Sequence, residues 1–136
     1  MPILNLKVSG QYNQLLAKQL VDGLTALTQK HLKKKPEVTA ITVLFVPEDC
    51  WFVNTKTLQS LGRKSFYLDI KVTDSTNVKD EKAYYIQAVF KFMQDTIGPV
   101  HSESYVYVEE VKGDAYGFGG VTQERRYIDG KSTETI

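Results

Sequence analysis

Position 2 of the chain is proline. Removal of Met1, the usual processing before a small second residue, leaves a free secondary amine at the head of an apolar stretch, Ile3 to Val8. With Met1 retained, the same nitrogen is an amide and cannot take up a proton. Three tyrosines are further candidates for a small polar site: Tyr105 and Tyr107, which strand alternation places on one face, and Tyr116. Each can wall a pocket or donate a phenolic hydrogen bond, and each can equally pack a core or a subunit interface. Cys50 has no activating neighbour in sequence, and with Trp51 it is read as packing a hinge segment. His31 and His101 are too few and too widely separated for a metal-ligand pattern, so no metal site is expected. Gly117, Gly119 and Gly120 lack the Lys-Ser/Thr of a phosphate loop and read as a turn or bulge.

Composition narrows the classes further. The chain has 136 residues, with 17 Lys and Arg against 16 Asp and Glu, a net charge of +1. That length suits a single domain, and 42% hydrophobic residues suffice for a core. A near-neutral balance does not supply the basic surface that nucleic acid requires. One cysteine excludes an intrachain disulfide framework. No apolar run approaches the roughly 18 to 20 residues of a membrane span, and the first residues lack the layout of a signal peptide. The expectation is a soluble cytoplasmic domain with no nucleic-acid or membrane partner.

The elements that must position these groups are written twice. Ile3-Leu4-Asn5-Leu6-Lys7-Val8 reads almost like Tyr67-Leu68-Asp69-Ile70-Lys71-Val72, 64 residues later. Leu4, Leu6 and Val8 alternate with Asn5 and Lys7, as a half-buried strand requires. Leu16, Leu20, Leu24 and Leu27 then mark one face of a helix about twenty residues long, and Ile86, Val89, Phe90, Met93 and Ile97 do so in the second half. Pro36 and Pro99 end these helices. Second strands follow, Thr39 to Val46 and Ser104 to Val111, and Trp51 and Tyr116 occupy matching irregular segments. The reading is one domain over 1–136: a first unit over 2–54, a linker over 55–64 with a short helix at Leu58 and Leu61, a second unit over 65–121 and a tail over 122–136. The tail is expected to add an edge strand through Arg126, Tyr127 and Ile128 and to fray at Asp129-Gly130. Helical crossovers make the strands within each unit parallel. The fold class is therefore α+β, a tandem β-α-β repeat forming a four-stranded mixed sheet with both helices on one face. Apolar and aromatic residues on both strand faces point to a second chain over the bare side. Periodicity alone equally permits a ferredoxin-like sandwich.

Pro2-Ile3, the Ser9-Gly10 turn and the helix of five to six turns resemble the start of a 4-oxalocrotonate tautomerase subunit. Tyr116-Gly117-Phe118-Gly119-Gly120 resembles the aromatic-Gly-x-Gly-Gly segment near that subunit's end. The fused length is similar to the malonate semialdehyde decarboxylase, cis-chloroacrylate dehalogenase and macrophage migration inhibitory factor groups. Lys34 before Pro36, and Ser60-Leu61-Gly62-Arg63, look like pieces of the last group. The resemblance, to the tautomerase superfamily, covers roughly residues 2–120. It implies a homotrimer of two-unit subunits with Pro2 as general base on a small carbonyl or enol substrate and no cofactor. Desolvation and nearby cations disfavour the charged amine, and a base with a pKa near working pH is the efficient one. Such a base can remove a proton alpha to a carbonyl and return it at another carbon, turning enol into ketone.

The chain departs from this pattern at the family's cations. The arginine expected after the first turn falls at Gln11, and the one on the strand after the helix falls near Ala40 to Thr42 and at Tyr105. The arginines of the decarboxylase and dehalogenase groups fall at Thr76 and neighbours, and the decarboxylase acid falls near Val38 or Thr39. These absences argue against decarboxylation, dehalogenation and a tightly held dicarboxylate. Lys34 is the remaining cation for a substrate carboxylate, although Lys33-Lys34-Lys35 also suits the negative end of a helix dipole. Catalysis thus centres on Pro2, with Lys34, Tyr105, Tyr107 and Tyr116 as substrate-binding candidates. The competing classes are a trimeric binding module without turnover and a cofactor-independent hydratase or dehalogenase of an unsaturated acid.

Overall fold

In the computed structural model, which describes residues 2–134 and side chains through Gly130, the duplicated pattern becomes one sheet. Strand β1 (Ile3–Ser9), helix α1 (Gln14–Leu32) and strand β2 (Ala40–Val46) form the first unit. A small hairpin, β3 (Phe52–Val53) and β4 (Lys56–Thr57), leads into a short helix α2 (Leu58–Leu61). Strand β5 (Phe66–Thr73), helix α3 (Lys79–Ile97) and strand β6 (Tyr105–Val111) form the second unit. A closing hairpin, β7 (Gly117–Phe118) and β8 (Val121–Thr122), precedes helix α4 (Gln123–Glu134). Retention of Met1 concerns a residue outside the described range.

The sheet order is β2-β1-β5-β6, parallel within each unit and antiparallel between β1 and β5. Each unit keeps its own strands adjacent, which separates this sheet from the split β-α-β arrangement of a ferredoxin-like sandwich. Asn5 lies directly opposite Asp69, its own counterpart in the repeat. A pseudo-two-fold axis therefore passes through the sheet between them. It carries the head of β1, where Pro2 sits, onto the head of β5 at the other end.

Leu4, Leu6 and Val8 of β1 and Phe66, Leu68, Ile70 and Val72 of β5 face the helices and are fully buried. Leu20 and Leu24 of α1 and Val89 and Met93 of α3 close over them. Between the helices the Tyr85 and Thr28 hydroxyls are 2.9 Å apart, and Thr28 Oγ1 also donates to the Leu24 carbonyl at 2.7 Å. This buried polar pair is therefore satisfied. Asn13 caps α1 by accepting from Leu16 N–H at 3.1 Å. Asn77 Nδ2 donates to the Leu32 carbonyl at 2.9 Å, tying the end of α1 to the start of α3. No described helix is long and apolar enough to cross a membrane.

The open face is more polar than an apolar reading of both faces implies. Thr42 donates to Asn5 at 2.8 Å, and Lys71 Nζ lies 3.1 Å from Asp69 and 3.3 Å from Glu109. The cause is the axis: Asn5 and Asp69 are forced together, so their polar groups pair across it. Leu44, Tyr105 and Tyr107 remain exposed on the same face.

The tail corrects a second expectation. Arg126 to Ile128 belong to helix α4, not to an edge strand, and the helix continues past Asp129-Gly130. Thr122 Oγ1 accepts from Arg125 N–H at 3.1 Å and starts the helix, while Arg125 and Asp129 pair one turn apart at 3.3 Å. Arg126 then lies 3.8 Å from the Phe118 ring and donates to the Phe118 carbonyl at 2.9 Å. Gly119 and Gly120, both at positive φ (59° and 80°), make the tight turn that brings Phe118 under the helix.

Candidate active site

Pro2 stands immediately before β1, one of the two central strands, and is buried. Its carbonyl accepts from Ala40 N–H at 3.2 Å, which ties it to the head of β2. The next residue, Ile3, is flanked by Ala40 on one side and Lys71 on the other. Pro2 is thus held at the corner where the start of both first-unit strands meets the end of β5.

Tyr116 reaches the same corner. A 3-10 turn over Gly113–Ala115 carries the chain from β6 back toward β5, and the Tyr116 hydroxyl donates to the Lys71 carbonyl at 3.3 Å. The same oxygen accepts from Ile3 N–H, one residue from Pro2. Burial raises the Tyr116 pKa, opposed by the Ile3 hydrogen bond and the Lys71 charge, so the phenol stays protonated and able to donate.

Lys34 also points to this end of the sheet. Lys33 takes the left-handed conformation (φ 61°) that ends α1, and its own Nζ caps the Lys30 carbonyl at 2.8 Å. The helix dipole is therefore served by Lys33. Lys34 instead crosses to the second unit, where its Nζ donates to Thr76 Oγ1 at 2.9 Å. Thr76 is fixed in turn by donating to the Thr73 carbonyl at 2.6 Å. The half-buried Lys34 ammonium has its pKa lowered by desolvation, partly offset by the Glu81 carboxylate. Its ammonium thus reaches the loop after β5, where Thr76 lies.

Tyr105 and Tyr107 are not brought to Pro2 within the chain. Both lie on the open face of the outer strand β6, 52% and 51% exposed. Tyr105 is level with Tyr67 and, beyond it, Lys7. Four residues of strand from Ile3 to Lys7 correspond to about 13 Å. Its hydroxyl bonds the Glu103 carboxylate, which raises its pKa. Tyr107 is level with Asp69 and Asn5, closer to the Pro2 end.

Gln11, at the position of the family's first arginine, is at the opposite end of the sheet. It lines a cavity of about 760 Å³ with Ser9, Asn13, Glu48 and Lys64, and Pro2 is not among the lining residues. Two neighbours of this end of the sheet do not stand out in the sequence. Lys71 reads there as an alternating strand residue, yet pairing with Ile3 places it beside Pro2. Thr76 reads there only as a lost arginine, and its bond to Lys34 requires the packing of α1 against α3. Among the described residues no three metal-ligating side chains come together.

No family model and no curated protein matches the chain. Solved structures do, at low identity. The protein Pt0534, inactivated by 2-oxo-3-pentynoate, superposes with a TM-score of 0.79 at 11% identity, over 91% of this chain and 98% of that one. A wild-type fused 4-OT, a symmetric trimer, gives 0.77 at 11% over 90% and 96%. A macrophage migration inhibitory factor-like protein of Entamoeba histolytica gives 0.73 at 17% over 89% and 97%. With its two β-α-β units related by the axis between Asn5 and Asp69, the chain shares the two-unit fold of these fused 4-OT and macrophage migration inhibitory factor-like proteins.

Proposed function

We propose that the chain is a cofactor-independent isomerase of the tautomerase type, in which Pro2, freed of Met1, is the general base. The observation that carries this reading is the burial of Pro2 beside the Tyr116 phenol, at the end of the sheet that also receives the Lys34 ammonium. A secondary amine held away from water is disfavoured as a cation and can be neutral at working pH. The neutral nitrogen takes the proton of an enol hydroxyl, the electron pair moves through the enolate, and the protonated nitrogen returns a proton to carbon. The product is the ketone and the amine is regenerated. Lys34 holds the carboxylate of a small 2-oxo acid, and Tyr116, exchanging its long bond to the Lys71 carbonyl, donates to the oxygen that bears the developing charge. Tyr105 and Tyr107, half exposed on an outer strand, are positioned to complete the site of a neighbouring subunit in a homotrimer, the assembly of the fused 4-OT of like fold.

A second reading is a trimeric binding module without turnover. Gln11 favours it, since the end of the sheet where it lies offers no arginine in that place. One set of measurements separates the two. Intact mass establishes Met1 loss, and ultraviolet assays follow ketonisation of phenylenolpyruvate and 2-hydroxymuconate by wild type and Pro2→Ala. The isomerase reading expects turnover in processed wild type, a loss of at least about a hundredfold in the variant, and one adduct of 2-oxo-3-pentynoate on the N-terminal peptide. Equal rates for the two proteins refute Pro2 as base, and no turnover by the processed chain supports the binding module. A monomer in sedimentation contradicts the shared site.

A further inference from the structure

A second cavity, of about 450 Å³, lies between α3 and the segment that follows α2, and its lining is chemically one-sided. It contains Arg63, Gln94, His101 and Ser102 over an apolar floor of Phe90 and Val100. Every one of the four polar residues can donate a hydrogen bond, and no carboxylate is among the described lining residues. The volume falls in the range of small-molecule sites.

The backbone that carries Arg63 and His101, and the His101 ring itself, are fixed by contacts within the chain. Lys64 and Val100 form a parallel bridge, with Lys64 N–H donating to the Pro99 carbonyl at 2.9 Å and His101 N–H to the Lys64 carbonyl at 2.8 Å. Arg63 and His101 flank this bridge diagonally, one on each segment, and both line the cavity. Arg63 is anchored from behind by its own N–H to the Leu58 carbonyl at 3.3 Å. His101 Nδ1 accepts from Glu103 N–H at 2.9 Å, so the ring proton is on Nε2 and that edge is the donor. Phe90 is braced from the core side by Phe66, with ring centroids 6.2 Å apart.

The neighbouring charges are already committed elsewhere. The Glu103 carboxylate takes the Tyr105 hydroxyl, and the Lys64 ammonium pairs with Glu48. Among the described residues the side chains of Arg63, Gln94 and Ser102 have no hydrogen-bond or ion-pair partner. A guanidinium beside three uncharged donors, over an aromatic floor, matches an anionic head group attached to a short hydrocarbon body. We propose that this cavity binds a small organic carboxylate, with its oxygens on Arg63 and His101 and its hydrocarbon part on Phe90 and Val100.

The site is independent of the Pro2 chemistry, and its test does not use turnover. The isotope-labelled full chain is titrated with sodium benzoate, with benzamide as the uncharged match and with inorganic phosphate. Saturable amide shifts at Arg63, Gln94, His101 and Ser102 with benzoate, and none in the same range with benzamide, are expected. Arg63→Gln weakens benzoate about tenfold or more, and Arg63→Lys recovers part of the loss. Arg63 is exposed and without side-chain partners, so the rest of the variant's spectrum should be unchanged. Lys34→Gln leaves these shifts in place. Equal binding of benzamide, unaltered affinity in Arg63→Gln, or benzoate shifts confined to the Pro2 corner overturns the proposal. Phosphate binding tighter than benzoate overturns the carboxylate assignment.

Discussion

Replacing Lys34 with glutamine tests the cation of the Pro2 corner. Its ammonium has three donors and spends one on Thr76 at 2.9 Å, which leaves two for a substrate carboxylate. A charge-assisted hydrogen bond contributes about 1.5–3 kcal/mol, and the half-buried position of Lys34 argues for the lower part of that range. A loss near 2 kcal/mol corresponds to a fall of about thirtyfold in kcat/KM for phenylenolpyruvate. The fall should appear mainly in KM, because Pro2 and Tyr116 are untouched. The carboxamide of the same substrate should be turned over equally by wild type and variant. Stability should change by no more than about 1 kcal/mol, since Thr76 keeps its bond to the Thr73 carbonyl. Burial lowers the Lys34 pKa, so wild-type affinity for the acid should fade at a pH below that of an ordinary lysine, and the variant should lack that limb. Between the lowered folded pKa and the ordinary unfolded one, the unfolded chain holds the extra proton, and stability therefore rises with pH. An unchanged KM for the acid, or an equal loss for the carboxamide, refutes Lys34 as the carboxylate ligand.

Two other perturbations probe what holds the corner in place. Tyr85 is buried and its pKa is pushed up to about 12, chiefly by desolvation, so above pH 10 the unfolded chain releases a proton that the folded chain keeps. Urea unfolding should show stability falling by about 1.4 kcal/mol per pH unit from this group between its unfolded and folded pKa values, and Tyr85→Phe should remove that slope. The same variant should cost about 1 kcal/mol at neutral pH, because Thr28 retains its bond to Leu24; an unaltered alkaline slope contradicts the assignment. Arg126→Ala removes the guanidinium from the Phe118 ring and carbonyl, and hydrogen exchange should speed in α4 while β1 and β5 stay protected. Uniform exchange across the chain would show that α4 is not held by that contact.

The fold was legible wherever one period governed a long segment. Both helices, both strand pairs and the short helix at Leu58 follow from alternation, fourfold spacing and the stops at Pro36 and Pro99. Alternation does not report what faces a residue across the sheet, so the polar row from Thr42 to Glu109 was not legible. Nor was α4: Arg126-Tyr127-Ile128 carries strand-like side chains, and the deciding groups are Thr122 as cap and Phe118 as a platform for Arg126. Local propensity loses there to contacts made through a hairpin. Pro2 and Tyr116 stand out in the sequence by residue type, but that they lie at one corner depends on the pairing of Ile3 with Lys71.

In the proposed reading of Pro2 as base, the same pairing gives the two ends of a nearly symmetric molecule different roles. The axis between Asn5 and Asp69 carries the position of Pro2 onto that of Phe66, which lies inside the chain and can never present a terminal amine. There a fully buried aromatic ring joins the core instead, stacked toward Phe90. The cations diverge in the same sense. At the Pro2 end, Lys34 crosses between units and keeps donors free for an anion. At the Phe66 end, Lys64 is neutralised by the chain's own Glu48 in the 760 Å³ cavity. A duplicated unit can copy a strand, a helix and a turn, but not a chain terminus.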